Sequence, residues 1–266
     1  MMQMSDDEQY LDLIVKAVRL SGNYKPMFGQ GRGGGLSLEQ FTSLYSADPF
    51  YAWCGLDSPL IYSAHRVSGG LTSMYRQIGI GCQWALNAIL RDALGLSVAE
   101  ANWSYTIPKT GAKPQTLSLD ARIPVASVSP TRLPDVVRWL DAATSALQLD
   151  QHAIHNGAVL EIRQGYKSKD AKRQNADVAN AANAYAYGYL PVVALLSTQI
   201  DNDVARRYQQ ARWLILRGTL EGTALDSLYV FYREVIGYDL AGFFARNSAT
   251  LRQEIGLVME KLLGQE

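Results

Sequence analysis

Two acids and a run of cations in the middle of the chain are the residues whose types and spacing could do chemistry. Asp120 and Glu161 each lie in a stretch patterned like a strand. Basic residues outnumber acids in the segment that Glu161 opens, which contains Arg163, Lys167, Lys169, Lys172 and Arg173 against Glu161 and Asp170. The whole chain carries 25 basic and 25 acidic residues. This local excess of positive charge therefore marks the segment where function is expected.

Hydrolysis of a phosphodiester bond is the chemistry that such residues suit. The reaction must place a water in line with phosphorus and stabilise the charge that grows on the oxygens, which Mg²⁺ can do. Mg²⁺ prefers hard oxygen ligands and commonly takes one or two carboxylates. Asp120 and Glu161 on neighbouring strands could converge on one ion, with the backbone carbonyl of Ile162 as a further ligand. The sequence thus predicts Asp120, Glu161 and Ile162 as metal ligands.

A cation beside these ligands would orient the water and hold the scissile phosphate. Arg163 supplies positive charge but is a poor proton acceptor, because its pKa stays above about 12. Lys167 or Lys169, reaching back from the loop, could take that part, and we assign catalytic roles to Arg163 and Lys167 jointly. The structural alternative is that Asp120 and Glu161 are strand carboxylates paired with Arg122 and Arg163. Such surface pairs contribute only about 0 to 1 kcal/mol.

A polar helix is predicted from about Ser168, a good N-cap, to Tyr187, with Gly188 ending it. Cationic and amide side chains that suit phosphates and base edges follow one another on it, namely Lys169, Lys172, Arg173, Gln174 and Asn175. Arg32, within a glycine-rich loop, is a further candidate for DNA contact. Both features could equally be solvated surface.

The elements that must position these residues follow from hydrophobic periodicity. A helix is predicted over 71–94, after a loop that Gly69 and Gly70 close. Strands at 101–108 and 116–125 are predicted to form a hairpin around a turn-rich segment, and Asp120 is expected in mid-strand. A helix over 134–149 leads to a third strand at 158–164. After the basic helix, the apolar run LPVVALLST predicts a strand buried on both faces.

This order of elements, with Asp120, Glu161 and Arg163 in it, resembles the PD-(D/E)xK nuclease superfamily and, within it, the type II restriction endonucleases. The resemblance covers roughly residues 71–197, and its motif is short. It implies that Asp120 is the first acid and Glu161 the second, whereas Arg163 stands where the family usually has lysine. An amide or acid on the preceding helix often lies near the metal in this family, which favours Gln83 over Gln77.

The resemblance implies an α/β fold with a central mixed sheet flanked by helices. The sequence has no internal repeat and no low-complexity linker, which predicts one domain over 1–266. Together with the resemblance this is expected to be a nuclease domain with an N-terminal helical and loop extension (1–70), a catalytic core (71–200) and a C-terminal strand and helices (201–266). The expected activity is Mg²⁺-dependent cleavage of double-stranded DNA at a specific, palindromic site by a homodimer. A non-catalytic DNA-binding protein on a degenerate nuclease fold and a structure-specific repair nuclease remain the alternatives.

Location and redox state are predicted from the termini, the apolar runs and the cysteines. The N-terminus is acidic where a secretory signal would be basic, and the apolar runs are shorter than a membrane span of about 20 residues. We therefore expect a cytoplasmic protein without a membrane partner. Cys54 and Cys82 lie in apolar segments without CxxC spacing, which predicts buried, reduced thiols.

Overall fold

The computed structural model describes residues 6–28, 35–107, 115–165 and 171–264. The chain divides into two compact units, the first formed by residues 1–81 and 246–266 and the second by residues 82–245. The interpretation of the chain as a single domain stays a prediction.

Among the described residues, five helices precede the first strand, and every strand lies in the second unit. The helices are α1 (Asp6–Ser21), α2 (Leu38–Ser46), α3 (Pro49–Trp53), α4 (Pro59–Leu94), α5 (Val98–Ala101), α6 (Leu133–Ala146), α7 (Ala171–Ala186), α8 (Asn202–Gln210), α9 (Leu228–Phe231), α10 (Leu240–Arg246) and α11 (Ser248–Leu263). The strands are β1 (Trp103–Ile107), β2 (Gln115–Leu119), β3 (Ala121–Pro124), β4 (Gly157–Arg163), β5 (Tyr189–Leu195) and β6 (Leu214–Leu216). A π-helix, Tyr232–Ile236, follows α9 directly.

Helix α1 forms because apolar residues recur on one face, and it packs against α11 within the first unit. The side chain of Arg19 on α1 forms a two-pronged ion pair with Glu254 on α11, at 2.6 and 2.7 Å. Near the other end of α1, Arg246 donates to Asp7. The first of these pairs joins α1 to α11, and the second joins α1 to Arg246, the residue that ends α10.

The prediction of a loop before residue 71 is wrong, because α4 is already helical from Pro59. Gly69 and Gly70 do not end a loop but allow close packing. A Cβ atom at Gly69 would lie 2.1 Å from the Tyr24 hydroxyl oxygen, and one at Gly70 would lie 2.6 Å from a Leu262 methyl group. Glycine often breaks a helix, but at these two positions its missing side chain makes room for neighbouring residues.

The second unit is α/β, with a mixed sheet flanked by helices. Its four-stranded sheet has the order β3-β4-β5-β6, in which β3 is antiparallel to β4 and the other neighbours are parallel. Strands β4 and β5 are joined through α7, as a parallel pair requires. Both strands are almost wholly buried, which explains their continuous apolar sequences.

The predicted hairpin is present, since β1 pairs antiparallel with β2 and Trp103 lies opposite Leu119. The single strand predicted over 116–125 is wrong, because it breaks at Asp120 into β2 and β3. Strand β2 pairs with β1, whereas β3 pairs with β4 and so belongs to the larger sheet. Asp120 therefore lies at the bend where the chain passes from one sheet to the other.

Among the described residues, no helix has the length and apolar character needed to cross a membrane.

Candidate active site

The backbone of Asp120 is held from two sides. Its amide donates to the carbonyl oxygen of Leu160 on β4 at 2.9 Å. Its carbonyl oxygen accepts a hydrogen bond from the side-chain amide of Asn87 on α4 at 2.8 Å. A residue at a bend has few ladder bonds of its own, so these two contacts set the direction in which the carboxylate leaves the chain.

The carboxylate of Asp120 lies against the end of β4. Its Oδ2 atom accepts from the backbone amide of Ile162 at 2.7 Å and from Nε2 of Gln83 at 3.1 Å. The same Gln83 nitrogen donates to the carbonyl oxygen of Ile162 at 2.8 Å. One side-chain amide thus bridges a carboxylate oxygen and a carbonyl oxygen, and both belong to predicted metal ligands. Hydrogen bonds to a carboxylate are the stronger kind, so this network fixes the two oxygens near each other.

Glu161 lies in β4, directly before Ile162, at the end of the β3–β4 ladder where Asp120 also lies. Ala121 of β3 is paired with Leu160 of β4 in an antiparallel ladder. Asp120 precedes Ala121 and Glu161 follows Leu160, so both acids lie one position beyond this pair at the same end of the ladder. Glu161 is only 5% exposed. The backbone register therefore places Asp120 and Glu161, which are 41 positions apart in the sequence, at the same end of the β3–β4 ladder, and Ile162 follows Glu161 directly.

Arg163 ends β4 and forms an ion pair with Glu161, its neighbour two residues back. Alternate residues of a strand share a face, so the two side chains lie on the same side of the sheet. The Arg163 side chain is 19% exposed. A nearly buried carboxylate is tolerated only with a hydrogen-bonded partner of opposite charge, and Arg163 supplies that charge.

The structural alternative predicted two ion pairs, and one of them is present. Arg163 does pair with Glu161, as stated above. Arg122 donates instead to backbone carbonyls of the α5 segment, at 2.6 Å to Glu100 and 3.2 Å to Ala99. The Arg122 guanidinium therefore binds carbonyl oxygens of the short helix α5.

The two glutamines of α4 named from the sequence, Gln77 and Gln83, differ in their contacts. Gln83 contacts the site directly, whereas Gln77 lies six residues earlier in the first unit and has an intermediate exposure. Sequence reasoning missed Asn87. The signal was its spacing, because residues four apart on a helix share a face and Gln83 was already singled out.

Buried groups next to the site are held in their neutral forms. Burial raises the pKa of the Cys82 thiol, adjacent to Gln83, to about 12. Burial also raises the pKa of Tyr229, whose hydroxyl donates to the carbonyl oxygen of Leu196 at 3.0 Å. A protonated, buried thiol is a poor nucleophile. Cys82 is therefore not a candidate nucleophile. Cys54, by contrast, is exposed, so the prediction that it is buried is wrong.

Several predicted residues lie outside what the structure describes. Arg32, Lys167 and Lys169 are not among the described residues. The backbone of α7 is described from Ala171, but the side chains of Lys172, Arg173, Gln174 and Asn175 are not. Their roles in catalysis and DNA binding stay predictions.

The donors present suit a hard cation. Among the described residues there is no group of three or more His, Cys, Asp or Glu side chains placed to hold a metal. Mg²⁺ does not need such a group, because one or two carboxylates, a carbonyl oxygen, water and substrate phosphate can complete its shell. Two carboxylates and the Ile162 carbonyl at one end of a ladder are such a set of oxygens.

Comparison of the chain with protein-family models, with curated proteins and with solved structures finds no match.

Proposed function

We propose that this protein is a Mg²⁺-dependent endonuclease of the type II restriction class, which hydrolyses phosphodiester bonds in double-stranded DNA. The observation that carries the proposal is the convergence of oxygens at Asp120. Gln83 bridges the Asp120 carboxylate and the Ile162 carbonyl, and Glu161 lies beside them. Two carboxylates and a backbone carbonyl at one end of the β3–β4 ladder offer oxygen ligands of the kind that Mg²⁺ uses in metal-assisted hydrolysis.

The order of elements supports the PD-(D/E)xK core within the α/β fold. Helix α4 is followed by α5, the β1–β2 hairpin, β3, α6, β4, α7 and β5, and β4 and β5 are parallel neighbours. The first acid stands at the bend before β3, and the second lies within β4. Because of the bend, residues 115–124 contribute β2 to one sheet and β3 to the other, and Asp120 lies between them, next to the end of β4.

Each residue has a part in the proposed reaction. Asp120, Glu161 and the Ile162 carbonyl would hold the ion, which supplies Lewis-acid stabilisation of the phosphoryl oxygens when bound. Arg163, which cannot lose its proton, would bind a phosphate oxygen. Lys167 is proposed to orient the attacking water. Gln83 positions Asp120 through its carboxylate hydrogen bond.

DNA would be contacted by the basic start of α7 and by Arg32. The side chains proposed for phosphate and base contacts are Lys169, Lys172, Arg173, Gln174 and Asn175. A homodimer with two such sites would cut both strands of a symmetric sequence.

The test is cleavage of plasmid and phage DNA by purified protein with Mg²⁺. We expect discrete fragments, and no fragments from Asp120→Ala or Glu161→Ala. Asp141→Ala and Glu221→Ala are matched controls, because both acids are exposed and belong to other elements, α6 and the loop after β6. Undiminished cleavage by either site variant would refute the assignment.

One observation favours a second function, a DNA-binding protein on a nuclease fold without catalysis. The second acid is already paired with Arg163, so a cation of the protein itself neutralises it. DNA binding that needs no metal, together with no cleavage in Mg²⁺ or Mn²⁺, would support this function over the first.

A further inference from the structure

We infer that Arg163 is a built-in counter-ion of Glu161 that a metal ion must displace, so that metal binding and phosphate binding are coupled at this site. The inference rests on the proposed function and states how the proposed site is regulated. It concerns the resting protein, in which Glu161 and Arg163 form an ion pair.

The ion pair satisfies a carboxylate that has little access to water. Glu161 is 5% exposed and lies within a strand whose other residues before Arg163 are buried. A carboxylate in such surroundings keeps its charge only beside a cation or strong donors. Arg163 therefore fills the electrostatic role that a divalent ion would otherwise have at Glu161.

A divalent ion and the guanidinium compete for this carboxylate, because the two positive charges repel each other at short range. A lysine in this position could reduce the conflict by releasing its proton when a metal binds. Arginine cannot, since its pKa stays above about 12. The guanidinium must therefore move to another anion.

The position of Arg163 allows that move. It is the last residue of β4, and its side chain is 19% exposed, whereas Glu161 is nearly inaccessible. The guanidinium can turn outward without disturbing the buried part of the strand. A phosphate group is the anion that matches its planar fork of donors. A DNA phosphate would thus release Glu161 for the metal, and the metal would release Arg163 for the phosphate.

Linkage requires that this effect be reciprocal, so DNA must raise the affinity for metal by the same factor as metal raises the affinity for DNA. Without DNA, metal binding must include the loss of a charge-assisted ion pair. We expect the loss to weaken metal binding by about tenfold to a hundredfold, the usual range for hydrogen bonds between charged groups.

The first test measures Mn²⁺ binding to the full chain without DNA, from the electron paramagnetic resonance signal of free Mn²⁺. Arg163→Met should bind Mn²⁺ about ten to a hundred times more tightly than the unaltered protein. Arg163→Lys, which keeps a charge but can release its proton when a metal binds, should bind Mn²⁺ with an affinity between those of the unaltered protein and Arg163→Met. Arg122→Met is the matched control, since Arg122 lies on the adjacent strand but donates to Ala99 and Glu100 carbonyls. It should not change the affinity.

Equal or weaker Mn²⁺ binding by Arg163→Met would overturn the inference, and Arg163→Gln gives the same comparison if the methionine variant does not fold. Glu161→Gln separates this failure from failure of the proposed function. If Mn²⁺ binding is lost in Glu161→Gln but unchanged in Arg163→Met, the site stands and the coupling is refuted. If Glu161→Gln binds Mn²⁺ normally, the proposed metal site itself is wrong.

The second test measures the coupling directly with a mixed-sequence duplex shown by gel to stay intact. Fluorescence anisotropy should show tighter duplex binding with Mn²⁺ than without it in the unaltered protein. Arg163→Met should lose most of that difference. A difference that persists unchanged in this variant would show that Arg163 does not couple the two ligands.

Discussion

Replacing Gln83 by alanine gives the sharpest test of the network around Asp120. The side-chain amide of Gln83 donates to the Asp120 carboxylate at 3.1 Å and to the Ile162 carbonyl at 2.8 Å. The variant removes both bonds and leaves both oxygens without that donor. We expect a loss of stability in the second unit and a loss of the proposed nuclease activity, because Asp120 is no longer held in one direction.

The magnitude follows from the two bonds. A neutral hydrogen bond contributes about 0.5 to 1.5 kcal/mol and one to a charged group about 1.5 to 3 kcal/mol. Gln83 and Asp120 are both of intermediate exposure, so water can replace part of what is lost. Alanine also has a slightly higher helix propensity than glutamine. The net expected destabilisation is therefore about 1 to 3 kcal/mol.

Gln77→Ala is the matched control. It has the same residue type on the same helix with a similar intermediate exposure, but it lies in the first unit rather than at the site. Urea unfolding followed by circular dichroism should show a change of less than about 0.5 kcal/mol for this control.

Amide hydrogen exchange at Ile162 provides a local measurement that does not depend on how the two units unfold. The Ile162 amide donates to the carboxylate oxygen that Gln83 also contacts. In Gln83→Ala this amide should exchange about 5 to 150 times faster, which corresponds to the expected 1 to 3 kcal/mol. Equal exchange in the Gln83 and Gln77 variants would refute the view that Gln83 positions Asp120.

Three further predictions concern stability and thiol chemistry in the described residues. The exposed Cys54 thiol should react with Ellman's reagent in the folded protein at pH 8, whereas buried Cys82 should react only after unfolding, and Cys54→Ser should abolish the fast reaction. The pKa of Cys82 is raised from about 9 in the unfolded chain to about 12 in the folded state. The buried thiol therefore contributes fully to stability below pH 9, and this contribution is lost as pH rises towards 12, which urea unfolding across that range would detect. Gly188→Ala should lower the free energy of unfolding by about 1 to 3 kcal/mol, because φ is 70° and a Cβ atom would lie 2.3 Å from the His155 ring. Gly79→Ala should raise it by about 0.5 to 1 kcal/mol, because Gly79 lies in a helix and a Cβ atom there would meet no atom within 4 Å.

Local patterns were enough to predict most elements of the second unit. The hairpin was predicted from two alternating stretches around a turn-rich segment, and β1 and β2 form it. A strand was predicted at 158–164, where β4 lies, and the apolar run LPVVALLST predicted the buried strand that β5 forms. Gly188 was predicted to end the basic helix, and its left-handed φ of 70° follows the last turn. These features depend on side-chain period and backbone conformation, which neighbouring residues largely decide.

Errors arose where distant residues decide the structure. Gly69 and Gly70 suggested a loop, but Tyr24 and Leu262 occupy the space that their missing side chains leave, and the helix continues. The alternating pattern of residues 116–125 is the same on both sides of Asp120, so nothing local shows that the two halves pair with different strands. The partners of a strand are a tertiary property that its own sequence does not specify.

The sequence by itself determined which residues of this protein could do chemistry, because Asp120, Glu161 and the cations after it are recognisable by type and by their strand-like surroundings. Only the tertiary structure decided what these residues contact. It turned Arg122 towards α5, paired Arg163 with Glu161, and brought Gln83 and Asn87 to Asp120. The physical reason is that a long polar side chain can satisfy its charge or its donors with any partner within reach, and only the packing of helix and strand decides which partners are within reach.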